Sequence, residues 1–185
     1  MFDEYIESVL IFTGIHIIAA YSFYVPFKTG QISLGQAGFM AVGAYAAGIM
    51  TTKLGLPFPV ALITAGLITG LVGVFVGFPA LRIKGIYLLL LTLGFSEIIQ
   101  VIILTWDYTG GAQGFQGIPF LENAILYIYA VVVILVVFCA RLERSSLGRA
   151  MDSIHEDELA AEVMGIDVVP VKLLAFGLGA FIAGI

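Results

Sequence analysis

Few side chains in this 185-residue sequence can do chemistry, and they fall in four places. The first is Glu97, the one acid within the otherwise uncharged run 85–106. It lies 12 residues beyond Gly85, roughly 18 Å along a helix. An acidic side chain at that depth in a bilayer costs about 2.5–3.5 kcal/mol, so something must offset it. Thr92, Ser96 and Gln100 recur at i, i+4 and i+8 beside it, giving one polar helical face. Such a face lines a water-filled path or hydrogen-bonds the small-residue helix. Alternatively, Glu97 is protonated or paired with another span and only fixes packing. The second place is "KTGQISLGQ", where Gln31, Ser33 and Gln36 stand among glycines. This pattern fits a broken or re-entrant segment, which is tolerated at membrane depth only when buried in protein or lining a cavity.

The third place is "WDYTGGAQGFQGIPF", in which Thr109, Gly110, Gly111 and Gly114 begin an irregular, tightly turning loop. Trp106 and Tyr108 suit the headgroup level. The glycines resemble an anion nest, but no basic residue supports them, which argues against phosphate binding. The fourth is "SIHEDELAAEVMGID". There the Ser153/Glu156 spacing fits a capping box, Glu156, Asp157 and Glu158 suit the positive end of a helix, and Gly165 suits its stop. About two turns of helix lie between, too short to be stable alone. Ala160 and Ala161 give a low profile, while Leu159, Val163 and Met164 supply apolar anchors. Just before it, "SSLGRAMDSI" offers a second amphipathic piece through Leu147, Met151 and Ile154. The pair either docks in a partner's groove or packs on its own membrane domain.

Enzyme chemistry is not indicated. The sequence holds no nucleophile–base pair, no aspartate dyad at matched depth and no helical His/Glu metal pattern. His16 stands alone in an apolar run and reads as a hydrogen-bonded structural histidine. The lone cysteine, Cys139, allows neither a disulfide framework nor a metal cluster. The net charge of −5 gives no hint of nucleic-acid binding.

The elements that must position these residues are membrane helices. Mean hydropathy is +1.09 and only 11% of residues are charged, against roughly 25% in an ordinary soluble domain. Uncharged blocks at 8–27, 29–52, 55–81 and 123–140, with 85–106, each reach the roughly 20 residues that span a bilayer. Backbone groups in lipid must pair internally, so these blocks are predicted to be helices. A final apolar run, 171–185, has 15 residues, about 22 Å of helix. The expected fold is therefore all-α: a polytopic helical membrane protein of five full transmembrane helices, a partial sixth and a short coupling helix in the 141–172 connection. The short last run suggests one incomplete transmembrane domain, 1–185, cut from a longer protein. In the second block nine of the fourteen residues 35–48 are Gly or Ala, so that helix is expected to pack closely among others.

Orientation follows from the basic residues. Arg141, Arg144, Arg149 and Lys172 place the 141–172 connection in the cytoplasm. Counting back through five spans puts Lys28, Arg82 and Lys84 inside as well and Lys53 alone outside. The acidic N-terminus, with Asp3, Glu4 and Glu7, and the 107–122 loop then lie outside. The start lacks a basic n-region and small-residue cleavage site, so the first span is expected to remain in the protein.

The segment "SSLGRAMDSIHEDELAAEVMGIDVVPVKLLAF" resembles the cytoplasmic coupling loop of bacterial ABC importer permeases. With "GQISLGQAGFMAVGAYAAGIM", "GFPALRIKGIYLLLLTLGFSEIIQ" and "TGGAQGFQGIP", the chain is similar to the branched-chain amino acid permease family of LivH/LivM type, and more to its LivM branch. These motifs cover most of residues 30–182. The resemblance implies a bacterial inner-membrane permease subunit that pairs with a second, related permease, two ATP-binding cassette subunits and an extracytoplasmic solute-binding protein. It implies that Glu156, Asp157, Glu158, Leu159, Ala160, Ala161, Met164 and Gly165 dock into an ATPase groove. Thr109, Gly110, Gly111 and Gly114 would lie toward the binding protein. Solute would cross by alternating access, along a path to which Gln31, Ser33, Gln36, Thr92, Ser96, Glu97 and Gln100 are assigned. No G-x-x-x-x-G-K-[ST] occurs, so ATP is expected in the partner subunit and no cofactor in this chain. The alternative from the residues alone is a secondary transporter or channel in which Glu97 serves an ion or solute path.

Overall fold

Long apolar runs with no water to satisfy their backbone close into helices, and the computed structural model has four of them long and apolar enough to cross a membrane. It describes residues 2–81, 83, 85–106, 109–111, 114 and 124–185, with 2–4 by backbone alone. The helices are α1 (Phe2–Phe27), α2 (Gln36–Thr52), α3 (Phe58–Ala80), α4 (Ile86–Thr105), α5 (Ala124–Arg144), α6 (Ser146–Glu156), α7 (Glu158–Val163) and α8 (Val168–Ala183). No strand occurs among the described residues. The four long spans are α1, α3, α4 and α5.

The second predicted span departs from expectation. Residues 31–34 form no regular secondary structure, so α2 has only 17 helical residues, about 26 Å, the lower edge of a spanning length. Gly30, at φ 73°, turns the chain out of α1, and Pro26 near that helix's end prepares the break. Within α2 the glycines face protein: Gly38, Gly43 and Gly48 are buried, whereas Ala37 and Ala44 are exposed. The small-residue run therefore packs most closely along its glycine side, with Ala41, Ala46 and Ala47 half-buried.

The helix at the centre is α8. It packs on α1, α2, α3 and α6, and eight of its 16 residues are buried. Small residues set these contacts. A Cβ on Gly73 of α3 would fall 2.3 Å from that of Ala180, and one on Gly179 would fall 2.6 Å from the Pro26 ring of α1. Close backbone approach is how membrane helices associate without a hydrophobic drive between them. By contrast α4 lies at the margin, resting mainly on α2.

Candidate functional site

At one end of the bundle, α6 and α7 form an elbow between α5 and α8. Ser145 starts α6: its hydroxyl accepts from the Gly148 amide at 3.1 Å and donates to the Leu142 carbonyl at 2.6 Å. Only glycine fits at 148, because a Cβ would meet that carbonyl at 2.1 Å. The apolar side of α6 then buries Met151 and Ile154, with Leu147 half-buried beside them, as its amphipathic spacing predicts.

The start of α7 corrects the expected capping box. Ser153 lies inside α6, its hydroxyl donating to the Arg149 carbonyl at 2.9 Å. The cap is Asp157, whose carboxylate accepts from the amides of Leu159 at 2.9 Å and Ala160 at 3.1 Å. An extended residue between two helices lets a carboxylate reach back to free N–H groups, and Asp157 alone is extended there. The expected stop is present. Gly165, at φ 86°, donates to the Glu162 carbonyl and Ile166 to that of Ala161, the paired bonds of a Schellman turn. Ile166 packs with Ile154, Ala161 and Val168, so the turn is locked by an apolar node.

The docking candidates divide by exposure. Ala161 is buried in that node and Glu158 is half-buried. Glu156, Asp157, Ala160 and Gly165 are exposed, and Leu159, Val163 and Met164 stand 72%, 86% and 82% exposed. An apolar ridge thus sits on a well-capped short helix.

Behind the ridge runs a polar linkage that the spacing of motifs did not reveal. Glu158 pairs with Lys172 of α8 at 2.9 Å, and Asp152 of α6 pairs with Lys28 at 2.9 Å. The His155 ring lies against that of Phe27, tilted at 56° with centroids 5.4 Å apart. Gln31, 4% exposed, donates through Nε2 to the Lys172 carbonyl at 3.0 Å and to Thr29 Oγ1 at 2.7 Å. From there the irregular 31–34 segment reaches α4. Ser33 accepts from the Gly35 amide at 3.1 Å, and Leu34 donates its amide to Thr92 Oγ1 at 3.0 Å. Gly38 donates to Ser96 Oγ at 3.3 Å, an approach open to glycine because a Cβ would lie 2.9 Å from Ser96 Cα. Lys28 and Lys172 entered the sequence argument only as orientation charges; their acidic partners lie 124 and 14 residues away and are chosen by the fold.

The residues assigned to a path are therefore only partly brought together. Gln31, Ser33 and Thr92 are buried and Ser96 is half-buried where 31–38 meets α4. Gln36 is half-buried in the first turn of α2. Glu97 and Gln100 are exposed, lying about 100° and 40° round the helix from Ser96. A cavity of about 370 Å³ lies elsewhere, lined almost wholly by apolar groups including Ile18, Met40, Gly43, Ala47, Leu62 and Ile185; none of the path candidates borders it. His16 Nδ1 donates to the Phe12 carbonyl at 2.7 Å, a structural role.

In the loop after α4, Thr109 is buried and donates to the carbonyls of Ile103 and Trp106, both at 2.7 Å. Gly110, Gly111 and Gly114 have φ of 86°, 53° and 74°, as a tightly turning loop requires. Tyr108, Gly117, Pro119 and the remainder of that loop lie outside the described residues, as do Arg82 and Lys84.

Residues 5–185 match the family described as "Branched-chain amino acid transport system / permease component". The chain is 34% identical over 190 residues to the high-affinity branched-chain amino acid transport system permease protein LivM of Salmonella typhimurium, covering 84% of this chain and 45% of that protein. LivM of Escherichia coli matches with the same identity and coverage. The chain thus spans about half the length of the curated relatives it matches. No solved structure matches it.

Proposed function

Because this chain belongs to the branched-chain amino acid transport permease family, a family of transport components and not of enzymes, we propose that it is the membrane-spanning subunit of an ATP-driven importer for branched-chain amino acids or similar small solutes. It is a multi-pass protein of the inner membrane. In this reading α6 and α7 face the cytoplasm and the N-terminus faces outward. Two ATP-binding cassette subunits cover the α7 ridge, a second, related permease completes the path, and a solute-binding protein meets the loop that holds Thr109, Gly110, Gly111 and Gly114. ATP is bound by the partner subunits, and no cofactor by this chain.

One observation carries the reading: Leu159, Val163 and Met164 project from a capped helix that is itself tied to the bundle. Apolar side chains held outward on a rigid mount suit a groove better than water. When the ATPases close, α7 moves. Lys172 passes that shift to α8 through Glu158, and its carbonyl passes it to Gln31. The 31–34 segment then pulls through Leu34 on Thr92 and Ser96, tilting α4 against α2. Alternating access is the expected result, with Gln31, Ser33, Gln36, Thr92, Ser96, Glu97 and Gln100 nearest the moving seam.

The test is Ala160→Arg. Ala160 is exposed, so the chain should fold and insert normally, while ATPase subunits should no longer co-purify from co-expressing membranes. Retained co-purification would sink the docking assignment. Uptake that persists without any ATPase, and fails with Glu97→Gln or an uncoupler, would instead establish a secondary transporter.

A further inference from the structure

Inside the linkage behind the ridge, one polar atom is left over. Gln31 is 4% exposed, and its Nε2 donates to the Lys172 carbonyl at 3.0 Å and to Thr29 Oγ1 at 2.7 Å. A carbonyl accepts only from a donor, so this contact fixes which end of the amide is Nε2. Among the described residues the Oε1 at the other end has no hydrogen-bond partner, and it is closed to water. Such an acceptor is costly, because burial has stripped its hydration without replacing it.

Two nearby donors are committed elsewhere. The Thr29 hydroxyl donates to the Pro26 carbonyl at 2.8 Å, and the Lys28 ammonium pairs with Asp152 at 2.9 Å. Lys172 differs in that its own backbone touches Gln31. From the 3.0 Å contact with its carbonyl, Oε1 lies within about 8 Å of the Lys172 Cα. A lysine ammonium extends about 6 Å from its Cα and a hydrogen bond adds about 3 Å, so the oxygen is inside its radius. The ammonium lies instead against Glu158 at 2.9 Å, where the carboxylate side chain is 33% exposed. An ion pair so open to water is weak, and water can take over the carboxylate when the lysine leaves. The two seats are therefore close in free energy. One gives a partly hydrated ion pair; the other gives a charged hydrogen bond to a buried oxygen but dries the ammonium.

We propose that the Lys172 ammonium is a two-position latch: it holds Glu158 of α7 in the arrangement described, and turns inward to Gln31 Oε1 when α7 withdraws. The exchange unties α7 from α8 and adds a second bond between α8 and the 31–34 segment, which reaches Thr92 through Leu34. Displacement of α7 is thereby converted into a tighter hold on the approach to α2. What withdraws α7 is the ATPase closure of the reading above, on which that role rests; the exchange itself belongs to this chain alone.

The experiment measures acylation of Lys172 by an N-hydroxysuccinimide ester in the full chain, in membranes without ATPase subunits. Peptide mass spectrometry gives the rate, with exposed Lys53 as reference. Glu158→Ala removes the outer seat. The latch predicts that Lys172 then moves inward and reacts at least about fivefold more slowly, with Lys53 unchanged. A simple surface pair predicts the opposite, a released and faster lysine. Adding Gln31→Met, which keeps the bulk and removes the oxygen, should make Lys172 at least about fivefold faster than in Glu158→Ala alone. Should Glu158→Ala disturb the elbow, Glu158→Gln keeps its bulk and should slow Lys172 in the same direction, at least about twofold. An unchanged or faster Lys172 in both Glu158 variants overturns the proposal, and so does slowing that survives Gln31→Met. ATPase docking is read separately by co-purification with Ala160→Arg, so failure of one leaves the other standing.

Discussion

The molecule solves the problem of polar groups in two opposite ways. At the α6–α7 elbow, acids and bases from distant parts of the chain meet one another: Lys28 with Asp152, Lys172 with Glu158, and Gln31 with a backbone carbonyl of α8. On the outer face of α4, Glu97 and Gln100 meet nothing on α2, the helix that carries α4. The first arrangement keeps its hydrogen bonds inside the chain and ties α6, α7 and α8 to the segment after α1. The second leaves both side chains exposed on an apolar helix, where an uncompensated carboxyl is costly.

The comparison can be broken most severely at Ala161. Arginine there would bury an unpaired charge in the Ile154–Val168 node, costing about 3–5 kcal/mol and lowering thermal stability in detergent far more than arginine at exposed Ala160. If the two variants melt alike, the elbow is not packed as described. On α4 the sign reverses. Glu97→Leu should make insertion of that span more favourable by about 2.5–3.5 kcal/mol, read from glycosylation-tagged insertion; an unfavourable change would mean that Glu97 is already paired within the chain.

A smaller effect is expected at Gln31. Leucine removes its bonds to Thr29 and Lys172 but also a buried, unpartnered carbonyl oxygen, so the net loss should be about 1–2 kcal/mol in chemical denaturation. Asp157→Ala should cost about 1 kcal/mol through loss of the α7 cap, whereas Ser153→Ala should cost under about 0.5 kcal/mol. Equal costs would restore the capping-box assignment. Smallest is the coupling between Lys172 and Glu158. Their side chains are 15% and 33% exposed, so a double-mutant cycle with charge reversal should recover about 0.5–1 kcal/mol.

Local rules were legible where one element decides the outcome. The apolar blocks foretold α1, α3, α4 and α5, and the Leu147/Met151/Ile154 spacing foretold the buried side of α6. Gly165 was readable as a stop because only glycine takes φ near 86° without strain. Ser153 misled because Glu156 stands three residues on, as a capping box requires, whereas Asp157 has an alanine there, and only the break between α6 and α7 makes Asp157 the cap. Of the polar face from Thr92 to Gln100, Thr92 and Ser96 meet the approach to α2 and α2 itself, while Gln100, about 40° further round, is exposed.

The sequence by itself determined that this chain lives in a bilayer, where its helices run, and which short segment carries the exposed apolar ridge, because hydropathy and caps act over a few residues. Tertiary structure alone decided that the short α8 stands at the centre, that Gln31 bridges α8 to the approach to α2, and that Glu97 is left outward. These depend on which helices pack together. In this protein such packing is set by glycine-sized gaps that several alternative pairings would satisfy equally well in one dimension.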